Sequence, residues 1–135
     1  MEIEKYADKI IKKLENIKCD FIYIFGSYAK GEQNNDSDVD IAFYSLIKHD
    51  SYDIFLLAQE ISLQLGKEVD LIQINFSTTV FQKEVVENGI LIYEKNKIQR
   101  EKFENLVLKT FLRCFTSSNI FSPILIFLFD CFRLI

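Results

Sequence analysis

The chain has no excess of positive charge. Its 16 basic residues face 20 acidic ones, for a net charge of −4, and that balance repels a polyphosphate backbone rather than attracting it, so extended nucleic-acid binding is disfavoured. It also has no paired cysteine framework. Cys19, Cys114 and Cys131 are odd in number, form no C-x-x-C and have no clustered histidines beside them, which argues against a zinc site and suits ordinary reduced thiols of the cytoplasm. The opening segment mixes charges into an apolar stripe and has no uninterrupted apolar core, so nothing there is expected to direct export. The longest apolar stretch, Ile120 to Phe129, is broken by Ser122 and Pro123 and falls short of the roughly 20 residues that a membrane-spanning helix needs. No internal repeat or disordered linker is evident.

What remains is enough for one folded unit. The 135 residues are 49% hydrophobic, with 13 Phe and 6 Tyr to fill a core. Ile3, Tyr6, Ile10, Leu14 and Ile17 recur at helical spacing and predict an amphipathic opening helix. The pattern then changes to the aromatic and β-branched run Phe21 to Phe25, stopped by Gly26, as a buried strand would be. A polar connection leads to a second strand, Val39 to Tyr44, whose alternation sets Asp38, Asp40 and Ala42 on one face and Val39, Ile41 and Phe43 on the other. Tyr52 to Leu65 reads as a helix with Phe55, Ala58, Ile61 and Leu65 inward and Gly66 as its stop. A third strand, Val69 to Ile74, follows with Asp70 and Ile72 sharing a side. Ser77 or Thr78 is placed to cap a helix through Val85 to Asn88, ahead of a short strand at Ile90 to Tyr93 and a last helix from Lys97. Alternating helices and short strands predict an α/β or α+β sheet domain.

Chemistry is concentrated between Gly26 and Asp70. Gly26 lets the backbone approach a phosphate closely, and Ser27 offers a hydroxyl and main-chain N–H groups at a helix start. Ten residues separate Ser27 from Asp38. Asp38 and Asp40, two apart on a strand, project from one face, where their charges repel unless a divalent cation lies between them. Magnesium, which prefers carboxylate and phosphate oxygens, is the expected ion, with a nucleoside triphosphate completing its shell. Asp70 on the next strand makes a possible third carboxylate, favouring deprotonation of an incoming hydroxyl. Lys30 and His49 read as a solvated charge and a loop residue. Tyr28 is expected to be exposed beside the pocket, either stacking on a base or packing.

This arrangement resembles the nucleotidyltransferase superfamily that includes DNA polymerase beta, with its glycine-serine turn and Asp-x-Asp strand, and the likeness covers roughly residues 1 to 110. Within it the chain resembles the minimal nucleotidyltransferase antitoxins of HEPN ribonuclease toxins, which attach AMP to a tyrosine of the toxin. The resemblance implies a small mixed sheet flanked by helices. It also implies Gly26 and Ser27 as nucleotide-binding positions, Asp38, Asp40 and Asp70 as catalytic metal ligands, magnesium with ATP as co-substrate, and a cognate HEPN toxin as partner. Lys30 stands where related sequences often carry Arg. Two other readings are a small-molecule, antibiotic-type nucleotidyltransferase and a toxin-binding antitoxin without catalysis. The segment 111–135, whose only charges are Arg113, Asp130 and Arg133, departs from the family and is expected to serve association, covering itself by folding back on the domain, by pairing with a second copy or by docking on a toxin.

Overall fold

The computed structural model describes residues 2–33 and 37–117. The opening helix α1 (Glu2–Glu15) buries Ile3, Tyr6, Ile10 and Leu14, the stripe its periodicity predicts. Strand β1 (Phe21–Phe25) leads through Gly26 into the short helix α2 (Ser27–Lys30), and strand β2 (Val39–Tyr44) follows the polar connection. Helix α3 (Ser51–Leu65) crosses to strand β3 (Val69–Gln73), and helix α4 (Thr79–Asn88), strand β4 (Ile90–Glu94) and helix α5 (Lys97–Ser117) complete the described chain.

The four strands form one mixed sheet in the order β3-β2-β1-β4. Strand β1 runs antiparallel to both neighbours, whereas β2 and β3 are parallel and joined by α3. That connection is a βαβ unit, which requires a crossover rather than a hairpin. Each face of the sheet is covered. On one, Ile22, Ile24, Ile41 and Phe43 pack under α1 and α3; on the other, Phe21, Tyr23 and Ala42 pack under α4 and α5 through Val85, Phe103 and Val107. Phe21, Tyr44 and Phe103 form an aromatic cluster on that second face, with ring centroids 4.5 to 5.5 Å apart.

The helix ends follow local chemistry. Gly66 adopts φ +70° and closes α3 with its N–H on Ser62 O at 2.9 Å, the left-handed stop that glycine adopts without a Cβ penalty. Of the two candidate caps for α4, Thr78 is the one used: its hydroxyl accepts from the Phe81 N–H at 3.2 Å. Asn96 caps α5 in the same way, accepting from Ile98 and Gln99 at 3.0 and 3.2 Å.

Two expectations are corrected. Phe55 is not an inward residue of α3 but 56% exposed; Ile54 and Leu57 pack inward with Ala58, Ile61 and Leu65 in its place. The helix carries apolar residues on two faces, and periodicity alone does not say which is covered. Strand β3 also ends one residue early, because Ile74 begins a 3-10 turn. Helix α5 runs past the composition change at Thr110 as far as Ser117, and residues 118–135 of the apolar segment lie outside the described residues. Among the described residues no helix is long and apolar enough to cross a membrane.

The two faces of α3 predict opposite responses to truncation. Ile61→Ala, at a fully buried position, should cost about 2–5 kcal/mol in urea unfolding, whereas Phe55→Ala should cost less than about 1 kcal/mol.

Candidate active site

Three strands carry the candidate residues to one place. The register sets Phe25 beside Asp40 and Asp40 beside Asp70, and paired residues on neighbouring strands share a face at a spacing of about 4.8 Å. The side chains of Asp40 and Asp70 thus rise from the same face. Asp38 lies just before β2, in phase with Asp40. Across the sheet the order is Asp70, Asp40, then the end of β1 with Gly26.

Gly26 has φ +72° and ψ −145°, a backbone conformation that favours glycine. A Cβ built there would lie 2.1 Å from Asp40 Oδ2. The space that glycine leaves open is filled by the carboxylate itself, so the turn and the Asp-x-Asp strand are in direct contact. Beyond the glycine, Ser27 starts α2, whose first N–H groups have no partner within the helix. Gly31, in the left-handed region at φ +71°, ends the short helix.

The electrostatics of the site ask for a cation. Asp40 is half-buried and its carboxyl is pushed up from 3.8 to about 6, first by loss of water and then by repulsion from Asp70 and Asp38. Among the described residues no ion pair involves any of the three. Asp38 and Asp70 are exposed, and no three metal-binding side chains are drawn into a ready-made cluster among the described residues. A divalent ion between the carboxylates would relieve the repulsion that Asp70 and Asp38 exert on Asp40. Exposed oxygen ligands of this kind suit magnesium, which keeps several waters and shares a substrate phosphate.

Other expected positions fall outside the centre. Tyr28 is buried at 1% exposure, so the expected exposed ring is instead a core residue in contact with α1 and α3. Lys30 is exposed at the end of α2. His49 is a loop residue whose ring nitrogen bonds Ile17 O at 2.9 Å. Cys19 is buried, its thiol pushed up to about 12 by loss of water, as expected of an unreactive sulfur. Asn34, Asn35 and Asp36 of the connection lie outside the described residues.

The sequence reading missed two polar networks that hold the site strands. Gln73, at the end of β3, donates to Ser45 O at 3.1 Å and Ile47 O at 2.8 Å and accepts from the His49 N–H at 3.1 Å, tying β3 to the loop after β2. On β1 the Tyr23 hydroxyl donates to Glu104 of α5, and Arg100 bridges Glu104 and Glu94. The signal for the second was a tyrosine inside a buried strand, since its hydroxyl needs a partner.

Two outcomes follow from this geometry. Gly26→Ala should remain folded but displace the Asp40 carboxylate, lowering ATP affinity at least about tenfold in a calorimetric titration. The folded Asp40 holds its proton more tightly than the unfolded one, so its contribution makes the metal-free protein less stable as pH rises from about 4 to about 6. Asp40→Asn should remove that slope and raise metal-free stability at pH 7 by about 1 kcal/mol, allowing for solvent screening, as read by thermal unfolding across that pH range.

Comparison with known proteins identifies the family. The family model of polymerase beta nucleotidyltransferases matches residues 8–98. The protein adenylyltransferase MntA of Shewanella oneidensis is 40% identical over 84 residues, a match spanning 61% of this chain and 60% of that protein. A chain in the crystal structure of a toxin-antitoxin with AMP-PNP superimposes with a TM-score of 0.79 at 29% identity, covering 84% of this chain and 93% of its own. A chain in the structure of the tri-AMPylated Shewanella oneidensis HEPN toxin in complex with MNT antitoxin gives 0.74 at 26% identity, covering 87% and 92%. With its glycine turn, its paired strand carboxylates and a match across most of its length, this chain belongs to the polymerase beta nucleotidyltransferase family.

Proposed function

We propose that this chain is a magnesium-dependent protein adenylyltransferase, an antitoxin that moves AMP from ATP to a tyrosine of a cognate HEPN toxin and so neutralises it. The observation that carries this is the contact of Gly26 with Asp40 beside Asp70, a phosphate-accommodating turn and a carboxylate set in one place. The names of the similar proteins support the substrate class: one is a protein adenylyltransferase, one structure holds AMP-PNP, and another holds an AMPylated HEPN toxin.

In this reading the turn at Gly26 and Ser27 receives the triphosphate, with the N–H groups of the α2 start directed at its oxygens. Asp38 and Asp40 would hold magnesium with the phosphates, and Asp70 would share a second ion on the acceptor side. The bound ions supply neutralisation of the charge that builds on the α-phosphate and on the leaving pyrophosphate. The tyrosine oxygen forms a bond to the α-phosphorus as the bond to the β-phosphate oxygen breaks. Pyrophosphate departs, and the hydroxyl proton passes to Asp70. Asp40, partly desolvated and flanked by two like charges, would gain from a counter-ion.

The segment 111–135 is assigned to association, with a toxin or a second copy, by its composition. A chain ending after Ser117 should therefore keep ATP affinity while its light-scattering mass or toxin pull-down changes.

Radiolabel from α-labelled ATP should appear on the HEPN toxin when protein, ATP and magnesium are present, and mass spectrometry should place it on tyrosine. Asp38→Ala should reduce transfer by at least about 10²-fold, and Asp70→Asn should do the same while ATP affinity stays within about threefold. Toxin neutralised by binding alone, without label, would instead establish the non-catalytic antitoxin; label on a small acceptor and none on protein would establish the antibiotic-type enzyme.

A further inference from the structure

The sheet has an open edge next to the candidate site. Among the described residues strand β3 pairs only with β2. The Val39 N–H donates to Glu68 O at 2.9 Å, which by strand alternation turns the backbone of Glu68, Asp70 and Ile72 toward β2 and leaves the N–H and C=O groups of Val69 and Leu71 on the outer side. Among the described residues no backbone bond covers these groups. Along this edge runs a groove of about 410 Å³ between β3 and α3, lined by Phe55, Ala58, Gln59, Asp70, Leu71 and Ile72. That volume lies within the ~300–1,000 Å³ of binding clefts. Its outer wall continues into an uncovered apolar face of α3, where Tyr52, Phe55, Leu56 and Leu63 are 64%, 56%, 42% and 85% exposed.

We propose that this groove receives an extended segment of the protein acceptor, which adds to the open edge of β3 and brings its tyrosine hydroxyl to Asp70. The inference rests on the adenylyltransferase reading above. The order of the residues across the sheet supports it. Gly26 and its phosphate-accommodating turn lie on the β1 side of Asp40, whereas Asp70 lies on the β3 side. A nucleotide seated against the turn leaves the acceptor the opposite approach, across Asp70, and the groove opens there. Asp70 lines the groove from β3 while its carboxylate rises on the sheet face opposite α3, so a strand added at this edge would alternate its side chains between the groove and Asp70.

The chemistry of the walls specifies the occupant. Outward N–H and C=O groups at Val69 and Leu71 bind main chain in the extended conformation, the strand-addition mode of peptide recognition. Phe55 and Ile72 offer apolar contact to alternate side chains. Glu68 and Asp70 are both exposed and acidic, which selects a segment with lysine or arginine near the tyrosine. A membrane or a polyanion does not match this combination.

The test compares Phe55→Glu in the groove with Ile98→Glu, a change at a somewhat more exposed position on α5, in the full chain. Toxin binding is measured by calorimetry, transfer as KM and kcat for toxin, ATP affinity by titration, and mass by sedimentation. Phe55→Glu should raise both the toxin dissociation constant and KM at least tenfold with unchanged ATP affinity, and Ile98→Glu should change neither. Native toxin KM and binding in Phe55→Glu, with transfer intact, would overturn the groove assignment and leave the adenylyltransferase reading standing. Loss of toxin binding in Phe55→Glu when the unmodified chain binds but does not transfer would overturn that reading and leave the groove assigned. Dissociation of a homodimer by Phe55→Glu with native toxin binding would show that a second copy occupies the groove and overturn the proposal. An unmodified chain that neither binds nor modifies toxin would overturn both.

Discussion

The contact between the Asp40 carboxylate and the bare α-carbon of Gly26 is the constraint on which the site depends. A side chain at position 26 would occupy the same space as Asp40 Oδ2, so the turn and the Asp-x-Asp strand are not independent motifs that happen to be neighbours. One exists in its present form because the other has no Cβ. The positive φ at Gly26 starts α2 at the end of β1, and the same turn makes room for a charge at the centre of the sheet's edge. Burial and two like charges then push that carboxyl up to about 6. A cation bound beside that carboxylate, as the proposed function requires, would return the stability that the fold forgoes by placing it there.

Such a charged centre needs rigid support. Strand β2 is fixed on both sides, and its Ile41, Ala42 and Phe43 are fully buried between the two layers. Gln73 pins the far end of β3 to the loop beyond β2, so Asp40 and Asp70 hold their register as parallel neighbours. Tyr23 and the Arg100 network fasten β1 to α5. The carboxylate spacing is therefore imposed by strands braced at their inner ends, while the site sits at the ends left open to water.

Much of this was legible in the sequence because the relevant signals are short-range. The run Phe21 to Phe25 and the alternation from Val39 each predict a strand with the boundaries observed, and Asp40 and Asp70 stand side by side on neighbouring strands. Strand order was not legible, because it depends on which helix covers which face. Phe55 and Tyr28 were misplaced for a related reason. Helix α3 has two apolar faces of comparable strength, and an aromatic after a glycine turn can point to either the core or the pocket; only the three-dimensional packing against α1 decided for Tyr28. The Gln73 and Glu104 bonds span 28 and 81 residues of chain, and no local pattern encodes them.

The misreading of Phe55 is itself informative about how the fold divides its work. A helix that must cover a sheet needs one apolar face, and Ile54, Leu57, Ala58, Ile61 and Leu65 supply it. The second face contributes nothing to that layer, and Leu63 on it is 85% exposed. Apolar surface left exposed favours association over solvation, and here it borders a sheet edge whose outward groups at Val69 and Leu71 have no backbone partner among the described residues. The β1 side of the sheet carries the turn at Gly26, and the core beneath Asp40 is closed by Ile41 and Phe43. The β3 edge, beside Asp70, is the side of the sheet along which α3 presents its second apolar face.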